Sequence, residues 1–151
     1  VTEVYAAAGV MVDPAIGAVG DLDTAMITLK FENGAIGVID NCREAVYGYD
    51  QRVEVLGSAG AIQSQNNYPN TAVLSTATAI QRDLPLNFFM ERYVESYVNE
   101  IQDFVDAVLN DTPVPVGGKD GRIPVLMGMA ALQSVAENRP VTLAEVERTH
   151  A

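Results

Sequence analysis

Between residues 47 and 60 the chain reads Tyr47-Gly48-Tyr49-Asp50-Gln51-Arg52-Val53-Glu54-Val55-Leu56-Gly57-Ser58-Ala59-Gly60. Two phenols, a carboxylate, an amide and a guanidinium thus lie beside a strand that closes on a glycine turn. A tyrosine ring packs on C–H groups while its hydroxyl both donates and accepts hydrogen bonds. That combination suits a polyhydroxylated ligand. Tyr47 and Tyr49 are two apart, so in an extended chain they share a side. Gly48 between them leaves room for a ligand or for another backbone. Tyr93, on a predicted helix, is a third candidate. The alternative reading is structural: these tyrosines pack on a sheet and hydrogen-bond within the protein.

Other runs offer less. Gly57-Ser58-Ala59-Gly60 has no third glycine and no helical pattern after it, so it reads as a tight hairpin turn rather than a phosphate cradle. Gly117-Gly118-Lys119-Asp120-Gly121 lacks the Lys-Ser/Thr end of a P-loop and reads as a loop feeding the last helix. His150 is the sole histidine and sits one residue from the C-terminus, where a general base is poorly held. Asp40, Glu44, Asp50 and Glu54 are spaced as solvated strand-edge carboxylates, and nothing in that spacing demands an acid–base pair. The sequence shows no Gly-x-Gly-x-x-Gly turn, no metal-ligand cluster and no nucleophile–base pair. The expectation is therefore no catalytic, cofactor-binding or metal-binding residue in this chain.

Composition sets the class. A chain of 151 residues, 48% apolar and 19% charged, is long enough for one domain with a core. Its net charge of −11 repels phosphate backbones and anionic membranes, which argues against nucleic-acid and membrane partners. Cys42 is the only cysteine, so no intrachain disulfide forms and a cytoplasmic setting fits. No apolar run reaches the ~18 residues of a membrane span, and no signal peptide is evident. The first residue is Val1 rather than Met, and strand-like sequence follows at once. That reads as a cut from a longer polypeptide.

The first two-thirds predict strands. Thr2–Val12 is apolar and β-branched, and Pro14–Asp21 reads as a loop. Asp23–Phe31 alternates, with Ala25, Ile27, Leu29 and Phe31 on one face and Thr24, Thr28 and Lys30 on the other. Asn33-Gly34 signals a hairpin, returning as Ala35–Ala45. Gln51–Leu56 and Ala61–Gln65 form a second pair, and 71–76 with 79–83 a third. The last third predicts helices: one over 88–110 capped by Asn87, with Tyr93, Tyr97, Ile101, Phe104, Val105 and Val108 as its buried stripe, and one over 124–138 with Pro124 in its first turn. Strands first and helices last predict an α+β fold with a largely antiparallel or mixed sheet. Two helices cover one face only. The other, carrying Thr24, Thr28 and Asn41, stays solvated or meets a partner.

Four runs carry a family resemblance: Gly20–Ala25, Leu29–Asn41, Tyr47–Gly60 and Phe88-Phe89-Met90-Glu91-Arg92-Tyr93. The closing segment Gly118–Gly121 with Ala130-Ala131-Leu132-Gln133-Ser134 adds a fifth. Together they resemble the C-terminal domain of inositol 2-dehydrogenases in the glucose–fructose oxidoreductase/inositol dehydrogenase (Gfo/Idh/MocA) family. The resemblance implies that residues 1–151 are a substrate-binding and oligomerisation domain like the C-terminal domain of glyceraldehyde-3-phosphate dehydrogenase. It implies an N-terminal Rossmann domain, absent from this chain, that binds NAD or NADP. It further implies a cyclitol or sugar whose secondary alcohol is oxidised, and a homodimer or homotetramer formed through the open sheet face. The family's catalytic lysine, aspartate and histidine match no position here, so the isolated chain is expected to be inactive and to bind no cofactor. By the same resemblance, Tyr47 or Tyr49 and Tyr93 reach the substrate, while Asp50 and Arg52 hold the loop. Two alternatives stay open: a non-catalytic module that dimerises by sheet packing, and a sugar-binding module.

Overall fold

A computed structural model describes residues 1–149; the reading of His150 lies outside them. In chain order the elements are β1 (Glu3–Gly9), α1 (Pro14–Ala18), β2 (Thr24–Lys30), β3 (Ile36–Cys42), β4 (Val53–Gly57), β5 (Gly60–Ser64), β6 (Val73–Ser75), β7 (Ile80–Arg82), α2 (Phe89–Leu109), α3 (Gly118–Glu137), β8 (Val141–Thr142) and α4 (Leu143–Thr149). They divide into two compact units. One comprises Val1–Glu44 and the chain from Val116 onward, the other Ala45–Pro115.

The first unit is an antiparallel sheet in the order β3-β2-β1-β8. The alternation expected in β2 sets its register. Val4 pairs with Leu29 and Ala6 with Ile27, so these side chains share one face. On that face Val4 and Leu29 join Leu126 and Ala130 of α3, Val141 of β8 and Val146 of α4 in one buried cluster. The opposite face is mixed: Tyr5, Met26, Ile36 and Val38 are exposed on it, between Glu3, Thr28, Lys30 and Asp40. One assignment needs correction: Asn41 pairs with Ala25, which puts it on the helix-side face and not on the open one. Strand alternation leaves Thr24, Thr28, Met26 and Val38 on the open side.

Two local devices join this unit. Asp23, only 4% exposed, accepts hydrogen bonds from the backbone N–H groups of Met11 (2.7 Å), Val12 (2.9 Å) and Asp13 (3.0 Å), and from the Thr24 hydroxyl (2.9 Å). Three donors freed where β1 ends are thereby satisfied. Ser134 of α3 is fully buried; its Oγ accepts from Ala6 N–H (2.9 Å) and donates to the Arg139 carbonyl (2.6 Å). β8 pairs only with Glu3 and Val4, so the Ala6 N–H beyond it bonds a helix side chain instead.

α3 starts six residues before its expected position. The glycine-rich run Gly117–Gly121, read as a loop, is its cap and first turn, where the Asp120 carboxylate accepts the Gly117 N–H (2.8 Å). Pro124 therefore lies inside the helix. Gly and Pro disfavour helix interiors by about 1 and 3 kcal/mol. Burying the large side chains of the Leu126 cluster contributes about 1.5–3 kcal/mol each, and packing prevails over propensity. α1, read as loop, is opened by Asp13, which accepts the Ala15 N–H (2.8 Å), with Pro14 as first helical residue. β8 and α4 are too short for their periodicity to register in sequence.

The second unit holds the hairpins β4–β5 and β6–β7, both expected, together with α2. The hairpins are separate two-stranded ribbons and not extensions of the four-stranded sheet. α2 belongs to this unit, and within the first unit the helices packed at the sheet are α3 with α4. Asn87 is not its cap. Phe88 is, and the Glu91 carboxylate accepts the Phe88 N–H (3.0 Å). The α2 stripe forms as its 3.6-residue period requires, but Tyr97, Ile101, Phe104, Val105 and Val108 are exposed. Periodicity identifies an apolar face without naming what covers it.

Candidate functional site

The tyrosine segment enters the second unit through a turn. Gly48 N–H donates to the Ala45 carbonyl (3.1 Å), and Gly48 adopts φ = 130°, a conformation L side chains rarely take. A Cβ there would sit 2.7 Å from the Pro85 carbonyl oxygen. The space beside Gly48 is therefore filled by another backbone, the second of the two options its small size allowed. Tyr49 N–H then donates to the Leu86 carbonyl (2.8 Å). The segment is a turn and not an extended strand. β4 begins only at Val53, and the two tyrosines have different surroundings.

Tyr47 is 44% exposed, and its hydroxyl donates to the Asp50 carboxylate. Asp50 also accepts from Arg52 Nε (2.8 Å) and Nη2 (2.9 Å) and from Asn66 Nδ2 (2.8 Å). Arg52, then Tyr47, hold the Asp50 carboxyl well below the ordinary carboxylate range. The Tyr47 hydroxyl is raised above its ordinary value, first by that same hydrogen bond and then by burial. A solvent-facing ion pair contributes under about 1 kcal/mol. Asp50 acts chiefly as a shared acceptor that gathers three donors, one of them from beyond β5.

Tyr49 is half-buried and meets Tyr93 of α2 edge to face, ring centroids 6.0 Å apart at 84°. Burial, then the neighbouring Tyr93, raises the Tyr49 hydroxyl above its usual value. Tyr49 therefore stays protonated near neutrality, suited to donate and accept hydrogen bonds and not to remove protons. The structure brings Tyr49 and Tyr93 together. Tyr47 lies two residues away with its proton committed to Asp50.

Sequence reasoning missed Asn66 and underused Arg92. Asn66 Oδ1 accepts the Gln51 N–H (2.8 Å), while Arg92 Nη2 donates to the carbonyls of Gln51 (2.9 Å) and Gln65 (3.4 Å). A lone asparagine after a strand carries no sequence signal for this. Arg92 was visible only as part of the Phe88–Tyr93 run. An open trough lies elsewhere, lined in part by Asn70, Leu74, Arg82 and Asp83.

The N-termini of the two long helices are not free anion sites. Both long helices carry a carboxylate at the N-terminus, Glu91 on α2 and Asp120 on α3, each bonded to the capping N–H. A pyrophosphate would meet those negative charges where it needs free donors. No group of three or more His, Cys, Asp or Glu residues among the described residues can hold a metal ion. None of the described helices is long and apolar enough to cross a membrane.

A sheet covered on one side by helices, with a second ribbon-and-helix unit, is an α/β architecture shared with oxidoreductase C-terminal domains. The chain belongs to that family: the model described as "Oxidoreductase family, C-terminal alpha/beta domain" (GFO_IDH_MocA_C) matches residues 1–143. It is 47% identical to myo-inositol 2-dehydrogenase from Thermotoga maritima over 97% of its own length and 44% of that protein's. The crystal structure of a probable dehydrogenase from Thermotoga maritima superposes with a TM-score of 0.93 at 47% identity, over 97% of this chain and 44% of that one. More distantly, myo-inositol dehydrogenase from Lactobacillus casei, solved in complex with NAD(H) and myo-inositol, aligns with a TM-score of 0.69 at 25% identity, over 93% of this chain and 41% of that one. The chain thus spans less than half the length of each of these relatives.

Proposed function

We propose that this chain is the substrate-contacting and assembly domain of an NAD-dependent dehydrogenase that oxidises a secondary alcohol of a cyclitol, inositol above all. The observation that carries the reading is the Tyr49–Tyr93 pair, in which phenols on a fastened loop and a helix meet edge to face with ring centroids 6.0 Å apart. The likeness to relatives named as inositol dehydrogenases gives the ligand its class. Tyr49 and Tyr93 contact the substrate, and the exposed ring of Tyr47 borders it. Hydride transfer belongs to the nicotinamide cofactor, held by a Rossmann domain outside these residues, and NAD is favoured over NADP because a relative is described with NAD(H). The open face of β3-β2-β1 is the assembly surface, and a cytoplasmic setting suits the single free Cys42.

The test is an assay of the full open reading frame that contains this chain, following NADH formation with myo-inositol and scyllo-inositol. The full protein should turn over, and the 151-residue chain alone should not. Tyr49→Phe and Tyr93→Phe should each weaken apparent substrate binding by about three- to tenfold, the worth of one hydrogen bond. Turnover by the isolated chain, or full affinity in both variants, would overturn the reading.

A further inference from the structure

Arg92 is the only α2 side chain, among the described residues, that hydrogen-bonds to the segments flanking β4–β5. Its Nη2 reaches the Gln51 carbonyl just before β4 and the Gln65 carbonyl just after β5. The next residue on α2 is Tyr93, whose ring centroid lies 5.9 Å from the Arg92 guanidinium carbon. One guanidinium thus joins both ends of a hairpin to the helix turn that presents Tyr93. Nη1 is buried without an acceptor among the described residues. A charged nitrogen left in that state is unfavourable, so the fork is held by what Nη2 achieves.

The loop is fastened at every step from the turn to the strand. Tyr49 N–H bonds Leu86, Asp50 gathers Tyr47, Arg52 and Asn66, and Asn66 takes the Gln51 N–H. Beside the Tyr49 ring, which meets Tyr93, the Gln51 carbonyl is the backbone group of that stretch that hydrogen-bonds to α2 among the described residues, and Arg92 is its partner.

We propose that Arg92 is a positioning residue: its bonds to Gln51 and Gln65 set the distance and angle between Tyr49 and Tyr93. The role matters for substrate only if the proposed function holds, but the geometry itself is measurable without ligand.

The experiment is NMR on the whole chain with Arg92→Met, Arg92→Lys and wild type. In wild type, ring protons of Tyr49 and Tyr93 should show a cross-ring NOE, and the Tyr49 amide should be protected from hydrogen exchange. Arg92→Met should abolish the NOE and lower protection at Tyr49 and Gln51 by at least about tenfold, leaving Leu29 and Val4 in the sheet unit unchanged. Arg92→Lys keeps the charge but not the planar fork, and should restore part of the protection. Unchanged NOE and protection in Arg92→Met overturn the proposal. If Arg92→Met does not fold, Arg92→Lys decides: a loss confined to residues 47–52 supports the role, and wild-type behaviour refutes it. Adding myo-inositol to wild type reports separately on the ligand reading, through shifts at Tyr49 and Tyr93.

Discussion

Asp23 shows how one carboxylate can complete a fold. Its position behind Leu22 says nothing special in sequence, yet in the structure it collects three backbone donors and a hydroxyl. The Met11 N–H is the largest influence that lowers its carboxyl, to about 2 from an ordinary 3.8. A depressed folded value means the stabilisation is fully present above the unfolded value and is lost as pH falls through the folded one. Thermal melts followed by circular dichroism should therefore show Asp23's contribution intact at pH 5 and falling away between about pH 4 and 2. Asp23→Asn should melt lower at pH 7, and the gap to wild type should close across that same window. A gap independent of pH would mean that folding does not depress the Asp23 carboxyl. Ser134 is the second case. Ser134→Ala leaves the Ala6 N–H and the Arg139 carbonyl without their partner, and urea unfolding should report a loss of about 1–3 kcal/mol. A loss under about 0.5 kcal/mol, the level of an ordinary surface change, would show that water replaces the hydroxyl.

At the scale of elements, turns were read well and helix starts poorly. The turn at Asn33-Gly34 was expected, and Gly34 does adopt φ = 85° with open space around it. Gly48 combines a positive φ with a carbonyl 2.7 Å from where its Cβ would stand. Gly34→Ala should therefore cost about 1 kcal/mol, and Gly48→Ala about 1–3 kcal/mol or more from strain and overlap together. Chemical denaturation of the two variants gives the comparison, and equal losses would remove the Pro85 contact from the account. Part of the candidate constellation was legible: Tyr47, Tyr49 and Tyr93 stood out by type, and Asp50 and Arg52 by their place beside them, while the contacts that join them were not. The extended backbone expected through Tyr47–Tyr49 was not found, because Gly48's positive φ bends the chain there. The start of α3 was hidden because Asp120's capping bond and the packing of Leu126 outweigh the propensities of Gly118, Gly121 and Pro124.

For the whole molecule, the exposed apolar side chains of β3-β2-β1 make a specific demand. Val38 is 66% exposed and Ile36 71% exposed on one strand face. Light scattering should find the wild-type chain as a dimer or larger, and Val38→Lys as a smaller species with an unchanged far-ultraviolet spectrum. A monomeric wild type at high concentration would refute assembly through this face. The residues alone determined which positions alternate, where the chain reverses and which side chains can bond a polyol, since backbone geometry and side-chain chemistry are local. Tertiary structure decided that Asp23 would hold the end of β1, that Arg92 and Asn66 would clasp Gln51, and that Ser134 of α3 would take the Ala6 N–H. Those outcomes depend on which distant groups meet, and a donor's partner across the fold leaves no periodic mark in the chain.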